Sequence, residues 1–309
     1  MSRAFVFPGQ GAQSVGMGRA LAESYPAARA VFDEVDAALG EKLSALIWEG
    51  TAEDLTLTAN AQPALMATSL AAMRALEAEG FAVTDAAFVA GHSLGEYSAL
   101  AAAGSLSIAD TARLLRVRGR AMQQAVPVGE GAMAALLGLD FTTAAAVAAD
   151  AAEGQVCQAA NDNDPAQVVV SGHRAAVERA VELAKSRGAK RAVMLPVSAP
   201  FHCALMQPAA EAMQAALADV TIRPPSVPLV ANIRAEAVSN PETIRSLLVE
   251  QVTGAVRWRE SVEWMTAQGV EDFWEIGAGK ALTGMIRRIA RTARTQPVGT
   301  PEDIEALKR

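Results

Sequence analysis

The chain has 309 residues, of which 51% are hydrophobic and 20% charged, so it is long enough to bury a large core and does not have the composition of a disordered protein. Its net charge of -7, from 27 basic and 34 acidic residues, excludes a general affinity for nucleic acid. No run of about 18 apolar residues and no signal-peptide pattern occurs, so we expect a cytoplasmic protein that spans no membrane and keeps Cys157 and Cys203 reduced.

The first predicted element is a short buried strand, Ala4–Phe7, which ends at the turn-forming residues Pro8–Gly11. Apolar residues at helical spacing then predict helical segments over 17–48 and 62–79. A second buried strand is predicted over 87–90 and leads directly into a glycine. The first part of the chain therefore consists of two strands separated by helices.

From Gly131 onward the predicted elements become shorter. Strands are predicted over 133–137, 156–160, 168–171 and 192–197, and helices over 141–152 and 173–187. This order, βαββαβ, predicts a compact split-βαβ module over 128–197, inserted into a larger domain formed by 1–127 and 198–309. Residues 161–165, with the sequence Asn-Asp-Asn-Asp-Pro, are predicted to form the turn between the two central strands of the module.

A Gly-x-Ser-x-Gly motif, Gly91-His92-Ser93-Leu94-Gly95, lies between the strand at 87–90 and a helix predicted over 96–103. This setting is typical of a nucleophile elbow, in which the serine occupies a strained turn and the glycines allow close approach of neighbouring backbone. Ser93 is therefore the predicted nucleophile. Because the helix N-terminus favours negative charge, the amide of Leu94 is a natural oxyanion donor.

The base that activates Ser93 has to be sought among three histidines, His92, His173 and His202. His92 adjoins Ser93 on a sharp turn, where successive side chains point apart, so we expect it to pack beside the site. His173 opens a predicted helix of the inserted module and is interpreted as a surface residue. His202 follows a strand in a loop, where catalytic groups are commonly presented, and is the predicted base; a buried structural histidine is the alternative.

Hydrolases with this elbow usually place an acidic residue between the serine and the histidine along the chain. Four aspartates lie there, all in the predicted module, and none is singled out: Asp140, Asp150, Asp162 and Asp164. We therefore predict a Ser-His dyad. No metal-ligand spacing occurs in the sequence, so no metal requirement is expected.

The helix predicted over 108–126 contains four arginines: Arg113, Arg116, Arg118 and Arg120. Spacings of three and four place Arg113, Arg116 and Arg120 on one face, which we interpret as solvated. Arg118 lies on the apolar side of the helix, where an unpaired cation is unfavourable. A buried arginine binds a carboxylate through two parallel hydrogen bonds, so the predicted partner is either an acidic substrate or an internal Asp or Glu.

Seven segments together resemble the malonyl-CoA:acyl carrier protein transacylase family, across essentially the full length of the chain. They are Phe5–Gly11, Gly91–Leu100, Arg118–Gly119, Gly131–Met133, Val197–Met206, Gln251 and Glu275–Lys280. The resemblance implies an α/β hydrolase-like large domain with an inserted ferredoxin-like (βαββαβ) small subdomain, in agreement with the element order above. It also implies an acyltransferase that takes malonyl-CoA as a substrate, needs no cofactor and delivers the malonyl group to an acyl carrier protein.

The same resemblance implies roles for individual residues. Ser93 matches the nucleophile of the family, His202 its base and Arg118 the arginine that binds the malonyl carboxylate. Gln10 and Leu94 match the positions whose backbone amides form the oxyanion hole, and Gln251 matches the residue whose main-chain carbonyl orients the histidine. Four further positions look like residues at or beside the family's pocket: His92, Asn161, Phe201 and Asn232. Phe201 resembles the variant of malonyl-selective domains, whereas the two asparagines are either pocket residues or ordinary turn residues.

The expected partners are therefore malonyl-CoA and an acyl carrier protein, with no nucleic acid and no membrane. Two basic clusters are candidates for docking an acidic carrier: Lys185, Arg187, Lys190 and Arg191, or Arg287, Arg288, Arg291 and Arg294. The alternatives are a serine esterase or thioesterase, or an acyltransferase subunit of a polyketide or malonate decarboxylase system. A nucleotide-binding loop at Gly9-x-Gly11 is disfavoured because the third glycine of that motif is missing.

Overall fold

The computed structural model describes residues 2–308, which form ten strands and fourteen α-helices. The strands are β1 (Ser2–Phe7), β2 (Phe88–Gly91), β3 (Gly131–Leu137), β4 (Cys157–Asp164), β5 (Gln167–His173), β6 (Arg191–Met194), β7 (Leu229–Val230), β8 (Ala237–Val238), β9 (Val270–Ile276) and β10 (Arg294–Val298). The helices are α1 (Arg19–Ser24), α2 (Pro26–Leu39), α3 (Leu43–Glu49), α4 (Ala52–Thr56), α5 (Thr58–Ala78), α6 (Gly95–Ala102), α7 (Ile108–Gln124), α8 (Phe141–Ala152), α9 (Arg174–Ser186), α10 (Gln207–Ala218), α11 (Pro241–Thr253), α12 (Trp258–Ala267), α13 (Ala281–Ile289) and α14 (Pro301–Ala306). Within residues 2–308, no helix is both long enough and apolar enough to cross a bilayer.

The larger sheet has six strands in the order β10-β9-β1-β2-β7-β8, and every neighbouring pair is parallel except β7 and β8. Strand β1 lies inside this sheet, and its residues Ala4–Phe7 are fully buried. Phe5 and Phe7 face the core that contains α5, while Ala4 and Val6 face the core that contains α12 and α13. Such a strand reads as a continuous apolar run because helices cover both faces of a parallel sheet. The predicted α/β class is confirmed.

The smaller sheet is antiparallel and has four strands in the order β4-β5-β3-β6. Its elements follow one another along the chain as β3, α8, β4, β5, α9 and β6, which is the predicted order βαββαβ. The helices α8 and α9 cover one face of the sheet and form a separate apolar core with it. The opposite face carries Met133, Ala135 and Val169, which line a cavity against the larger sheet.

Two expectations about local structure were wrong. Residues 161–164 are not a turn: they continue strand β4, and only Pro165 and Ala166 form the turn to β5. The four polar side chains are buried because each finds a partner or a cavity outside its own sheet. The segment 17–48 is not one helix but three, because the chain breaks at Tyr25, before Pro26, and again at Gly40, which has a left-handed φ of 66°.

Strand β4 joins the smaller sheet to the helices of the larger one. Asp162 accepts two hydrogen bonds from Arg259 of α12, from Nη2 at 2.8 Å and from Nε at 3.1 Å, and Asp164 accepts one from Nε of Arg288 of α13 at 2.7 Å. Both aspartates are almost fully buried. Charge-assisted hydrogen bonds to these buried carboxylates hold β4 against α12 and α13, beside the cavity between the two sheets.

Candidate active site

Ser93 lies on a sharp turn between β2 and α6, with a left-handed φ of 55°. The flanking glycines are required by close backbone contacts. A Cβ atom on Gly91 would lie 1.9 Å from the backbone of Gly95, and a Cβ atom on Gly95 would lie 2.2 Å from the carbonyl oxygen of Phe7. The turn therefore carries local strain at the serine and depends on glycine at both sides, as the motif predicts.

The side chains of Ser93 and His202 are in contact, with 2.8 Å between Ser93 Oγ and His202 Nε2. Nδ1 of His202 lies 2.8 Å from the backbone oxygen of Gln251. A carbonyl oxygen only accepts hydrogen bonds, so Nδ1 carries the proton and Nε2 is free to accept one from the serine. This tautomer is the one that a general base for Ser93 requires.

His202 is buried, and its backbone also has a left-handed φ of 58°. Burial lowers the pKa of its imidazole to about 3, and the nearby positive charge of Arg118 acts in the same direction. The imidazole is therefore neutral near neutral pH, which is the form that can take a proton.

Asn232 supports the turn from behind. Its Oδ1 accepts a hydrogen bond from the backbone N–H of Ser93 at 2.9 Å, and its Nδ2 donates to the carbonyl of Gly91 at 2.7 Å. The side chain is fully buried and is not among the residues that line the cavity. Asn232 lies in a turn, and its side chain holds the backbone of the elbow in place.

Arg118 is buried on the inner side of α7, as its helical position predicts, with 1% of its surface exposed. Its Nη1 donates to Oε1 of Gln62 at 2.8 Å, and its Nη2 donates to Oε1 of Gln251 at 2.8 Å and to Oγ of Ser93 at 3.1 Å. Within residues 2–308, no carboxylate lies within salt-bridge distance of the guanidinium. The internal ion pair that was the alternative is therefore not formed, and neutral oxygens hold the guanidinium beside the serine.

Arg116 departs from the prediction of a solvated face. Arg113 and Arg120 are exposed, but Arg116 is buried. It donates to the carbonyl of Ala59 at 2.5 Å and to Asn60 Oδ1 at 2.6 Å, and it pairs with Glu41. The helix periodicity could not show this because the covering segments come from elsewhere in the chain.

The two side chains that connect these groups were not predicted. Nε2 of Gln251 donates to the backbone oxygen of Ser93 at 2.9 Å and to Oε2 of Glu96 at 2.5 Å. Glu96 is 1% exposed, and burial raises its pKa to about 7, although its hydrogen bonds and the charge of Arg118 partly offset this effect. The one available signal was that Glu96 is the single charged residue of the helix over 95–102.

A cavity of about 420 Å³ opens onto this site between the two sheets. Its lining includes most of the predicted residues: Gln10, His92, Ser93, Leu94, Arg118, Asn161, Phe201 and His202. Sequence reasoning missed Gln62, Asn163 and Met285, which also line it. Gln62 could have been found as the polar residue in the apolar run 61–67, whereas Asn163 reaches the site by bonding Nε2 of His92 at 2.8 Å.

Gln10 and Leu94 both line the cavity, one after β1 and the other at the start of α6. In the described part of the chain, neither backbone amide donates a hydrogen bond to another residue. His173 lies away from the site, where its Nδ1 accepts from the backbone of Val156. Across residues 2–308, no cluster of three or more His, Cys, Asp or Glu is arranged to hold a metal ion.

Comparison with known proteins gives one consistent set of similarities. The family model described as "Acyl transferase domain" matches residues 4–301. The malonyl CoA-acyl carrier protein transacylase of Escherichia coli K12 is 49% identical over 98% of this chain and 97% of its own. The structure of an acyl-carrier-protein-S-malonyltransferase from Bartonella henselae has a TM-score of 0.97 and 60% identity, covering 99% of this chain and 98% of its own. A malonyl-transacylase solved in complex with a type II PKS acyl-carrier protein has a TM-score of 0.96 and 42% identity, covering 99% and 98%.

Proposed function

The chain belongs to the acyl transferase domain family, and from that premise we propose that it transfers the malonyl group of malonyl-CoA to the phosphopantetheine thiol of an acyl carrier protein. The observation that carries this proposal is the contact of three side chains at one cavity wall. Ser93 Oγ lies 2.8 Å from the imidazole of His202 and 3.1 Å from the guanidinium of Arg118. The base and the group that can bind a carboxylate therefore both lie within hydrogen-bond distance of the nucleophilic oxygen, Ser93 Oγ.

In the first half-reaction, His202 takes the proton of Ser93 as Oγ attacks the thioester carbonyl of malonyl-CoA. The amides of Gln10 and Leu94 stabilise the oxyanion that forms, which is supported by the position of both residues in the cavity lining and by the absence of another acceptor for either amide within residues 2–308. The thiol of coenzyme A leaves with the proton from His202, and malonyl-Ser93 remains. The carbonyl of Gln251 stabilises the imidazolium while it exists.

In the second half-reaction, the thiol of the carrier protein enters after coenzyme A has left, and the same steps run in reverse. His202 takes the thiol proton, the thiolate attacks the malonyl ester, and Ser93 regains its proton. The reaction is therefore ping-pong. Throughout, Arg118 binds the free malonyl carboxylate, and it can do so because only neutral oxygens occupy its donors.

The product, a malonyl group on an acyl carrier protein, supplies fatty acid synthesis. We further propose that the chain needs no cofactor, because the two half-reactions use only its own side-chain and backbone groups and the thioester bond. We also propose that it works in the cytoplasm, as expected from the sequence. We also propose residues 128–197 as a subdomain inserted between 1–127 and 198–309, which is supported by the separate apolar core of the smaller sheet.

Of the two basic clusters, the one around α13 is the better candidate for docking the carrier protein. Met285 of α13 lines the cavity, and Arg288 follows it one helical turn later. Both clusters contain paired cations, Lys185 and Arg187 in one and Arg288 in the other, so the position of α13 beside the cavity decides between them. Reversing the charge of Arg291 should raise KM for the carrier protein and leave KM for malonyl-CoA unchanged, and the same change at Arg187 should affect neither.

The proposal is tested by measuring the intact mass of the protein after addition of malonyl-CoA and again after addition of holo acyl carrier protein. We expect a malonyl adduct that is absent from the Ser93→Ala variant and that moves to the carrier. Ser246→Ala, which changes an exposed serine of α11, is the matched control and should form the adduct normally. An adduct that is lost to water at the same rate with and without carrier would instead support the serine esterase.

A further inference from the structure

Glu96 is a buried carboxylate for which the reaction described above has no use. It lies in the first turn of α6, and its 1% exposure leaves it essentially without water. Within residues 2–308, no cation lies within salt-bridge distance of it. Buried acidic side chains are normally paired, so an unpaired one beside a catalytic serine needs an explanation.

One amide group separates Glu96 from the arginine that faces the substrate. The side chain of Gln251 donates through Nε2 to Glu96 at 2.5 Å and accepts through Oε1 from Arg118 at 2.8 Å. The carboxylate is thus near enough to feel the positive charge, but it does not occupy the guanidinium donors. Asn232 adds a long contact, from its backbone N to Oε1 of Glu96 at 3.4 Å.

Arg118 is the charged neighbour that acts on Glu96. The groups that contact Glu96 from other elements, Gln251 of α11 and Asn232, are uncharged, and so is the phenol of its neighbour Tyr97 on α6. The buried residues of α5, which packs against α6, are also uncharged. With Glu96 ionised, the residues of the site therefore balance one cation against one anion.

A malonyl group changes this balance, because its carboxylate adds a second anion beside the same buried cation. Two carboxylates that share one arginine in a dry site repel each other, and the one that is not hydrogen-bonded to the arginine is the one that gains from protonation. An acetyl group brings no charge and leaves the balance as it is. The malonyl group therefore favours protonation of Glu96, whereas the acetyl group does not.

We propose that Glu96 is the counter-charge of Arg118 and a specificity-determining residue, which takes up a proton from solvent when a malonyl group occupies the site and keeps its charge when an acetyl group does. This inference rests on the proposed function and deepens it. By linkage, binding that favours the protonated carboxyl is strongest where Glu96 is already protonated. The preference for malonyl over acetyl should therefore fall as pH rises through neutrality.

The test compares the rates at which malonyl-CoA and acetyl-CoA load Ser93, measured by intact mass from about pH 6 to about pH 9. Any effect of pH on the ionisation of Ser93, His202 or the leaving thiol is the same for both substrates, so it cancels in the ratio of the two loading rates. In the wild type we expect this ratio to fall roughly tenfold over the range. In Glu96→Gln, which is neutral at every pH, the ratio should be flat.

Asp36→Asn is the matched control, because Asp36 is another buried carboxylate, hydrogen-bonded to Ser44 on α3 and remote from the cavity. In Asp36→Asn, the ratio of the malonyl-CoA to the acetyl-CoA loading rate should fall as pH rises, as it does in the wild type. A second measurement needs no variant: loading in two buffers of different ionisation enthalpy should show that malonyl-CoA takes up roughly half a proton more than acetyl-CoA near neutral pH.

A wild-type ratio that stays constant with pH, an equal slope in Glu96→Gln, or equal proton uptake with the two substrates would each overturn the inference. Loss of malonyl preference at every pH in Glu96→Gln would overturn it as well, because that result would mean that the carboxylate orients Gln251 and does not compete with malonyl. If no malonyl adduct forms on Ser93 at any pH, the proposed function itself fails. The two failures are therefore distinguishable.

Discussion

The backbone carbonyl of Gln251 accepts a hydrogen bond from Nδ1 of His202 at 2.8 Å, in the place where hydrolases with the same elbow use a carboxylate. A carbonyl dipole orients the ring and selects its tautomer as a carboxylate does, but it carries no net charge. A carboxylate at this position would add a second buried anion near Arg118 and compete with the malonyl carboxylate for it. The neutral partner therefore suits an acyl group that carries its own charge.

We expect the rate at which acetyl-CoA loads Ser93 to be constant from about pH 5 to about pH 8. Burial lowers the pKa of His202 to about 3, so the base is already neutral throughout this range and does not gain a proton until the pH is far lower. Single-turnover rates measured by intact mass check the expectation. A fall in rate below about pH 6.5, the ordinary value for histidine, would contradict it.

Arg118→Lys should lower kcat/KM for malonyl-CoA by roughly 100-fold and change that for acetyl-CoA little. A lysine keeps the charge but lacks the planar fork that binds a carboxylate through two hydrogen bonds. The matched control is Arg116→Lys, which alters another buried arginine of α7, outside the cavity. If both variants lose malonyl and acetyl activity in parallel, Arg118 has a structural role and not a selective one.

Asn232→Ala should destabilise the protein by on the order of 2 kcal/mol and also slow the loading of Ser93. The change removes the hydrogen bonds to Ser93 N and Gly91 O and leaves both buried backbone groups without their partner. Urea unfolding and loading rates measure the two effects.

The matched control for Asn232→Ala is Asn240→Ala, which removes the N-cap of α11 and costs about 1 kcal/mol. Its loading rate should be normal. A normal loading rate in Asn232→Ala would show that the elbow keeps its geometry without the asparagine.

Gly95→Ala should prevent the elbow from forming, because the added Cβ would lie 2.2 Å from the carbonyl oxygen of Phe7 in the neighbouring strand. Gly284→Ala is the opposite case. Gly284 lies within α13, and a Cβ atom added there would have the guanidinium of Arg288 as its nearest neighbour, at 3.8 Å. Alanine should therefore stabilise the helix by about 0.5–1 kcal/mol. Thermal unfolding of the two variants separates them, and equal melting temperatures would refute the steric account.

Local rules determined a large part of this protein from the sequence alone. The strand-turn-helix around Ser93 could be predicted because its tight turn requires glycine at positions 91 and 95. The burial of Arg118 follows from its spacing to apolar residues along one helix, and the order of the elements of the smaller sheet follows from hydrophobic periodicity. Each of these features depends on residues that are close together in the chain.

Contacts between distant segments were decided by the tertiary structure. His202 meets Ser93 across 109 positions of sequence, and Gln251 reaches the backbone of Ser93 across 158. Asn161–Asp164 form a buried strand, contrary to their turn-like composition, because Arg259, Arg288 and His92 supply partners from other elements.

Periodicity and motif spacing describe how a segment arranges its own atoms. The free energy of a buried polar group depends on whether a partner arrives from elsewhere in the chain. The sequence by itself therefore determined which residues can react, whereas only the tertiary structure decided which buried charges face each other. The contacts of Glu96 and of the Gln251 side chain therefore could not be predicted from the sequence.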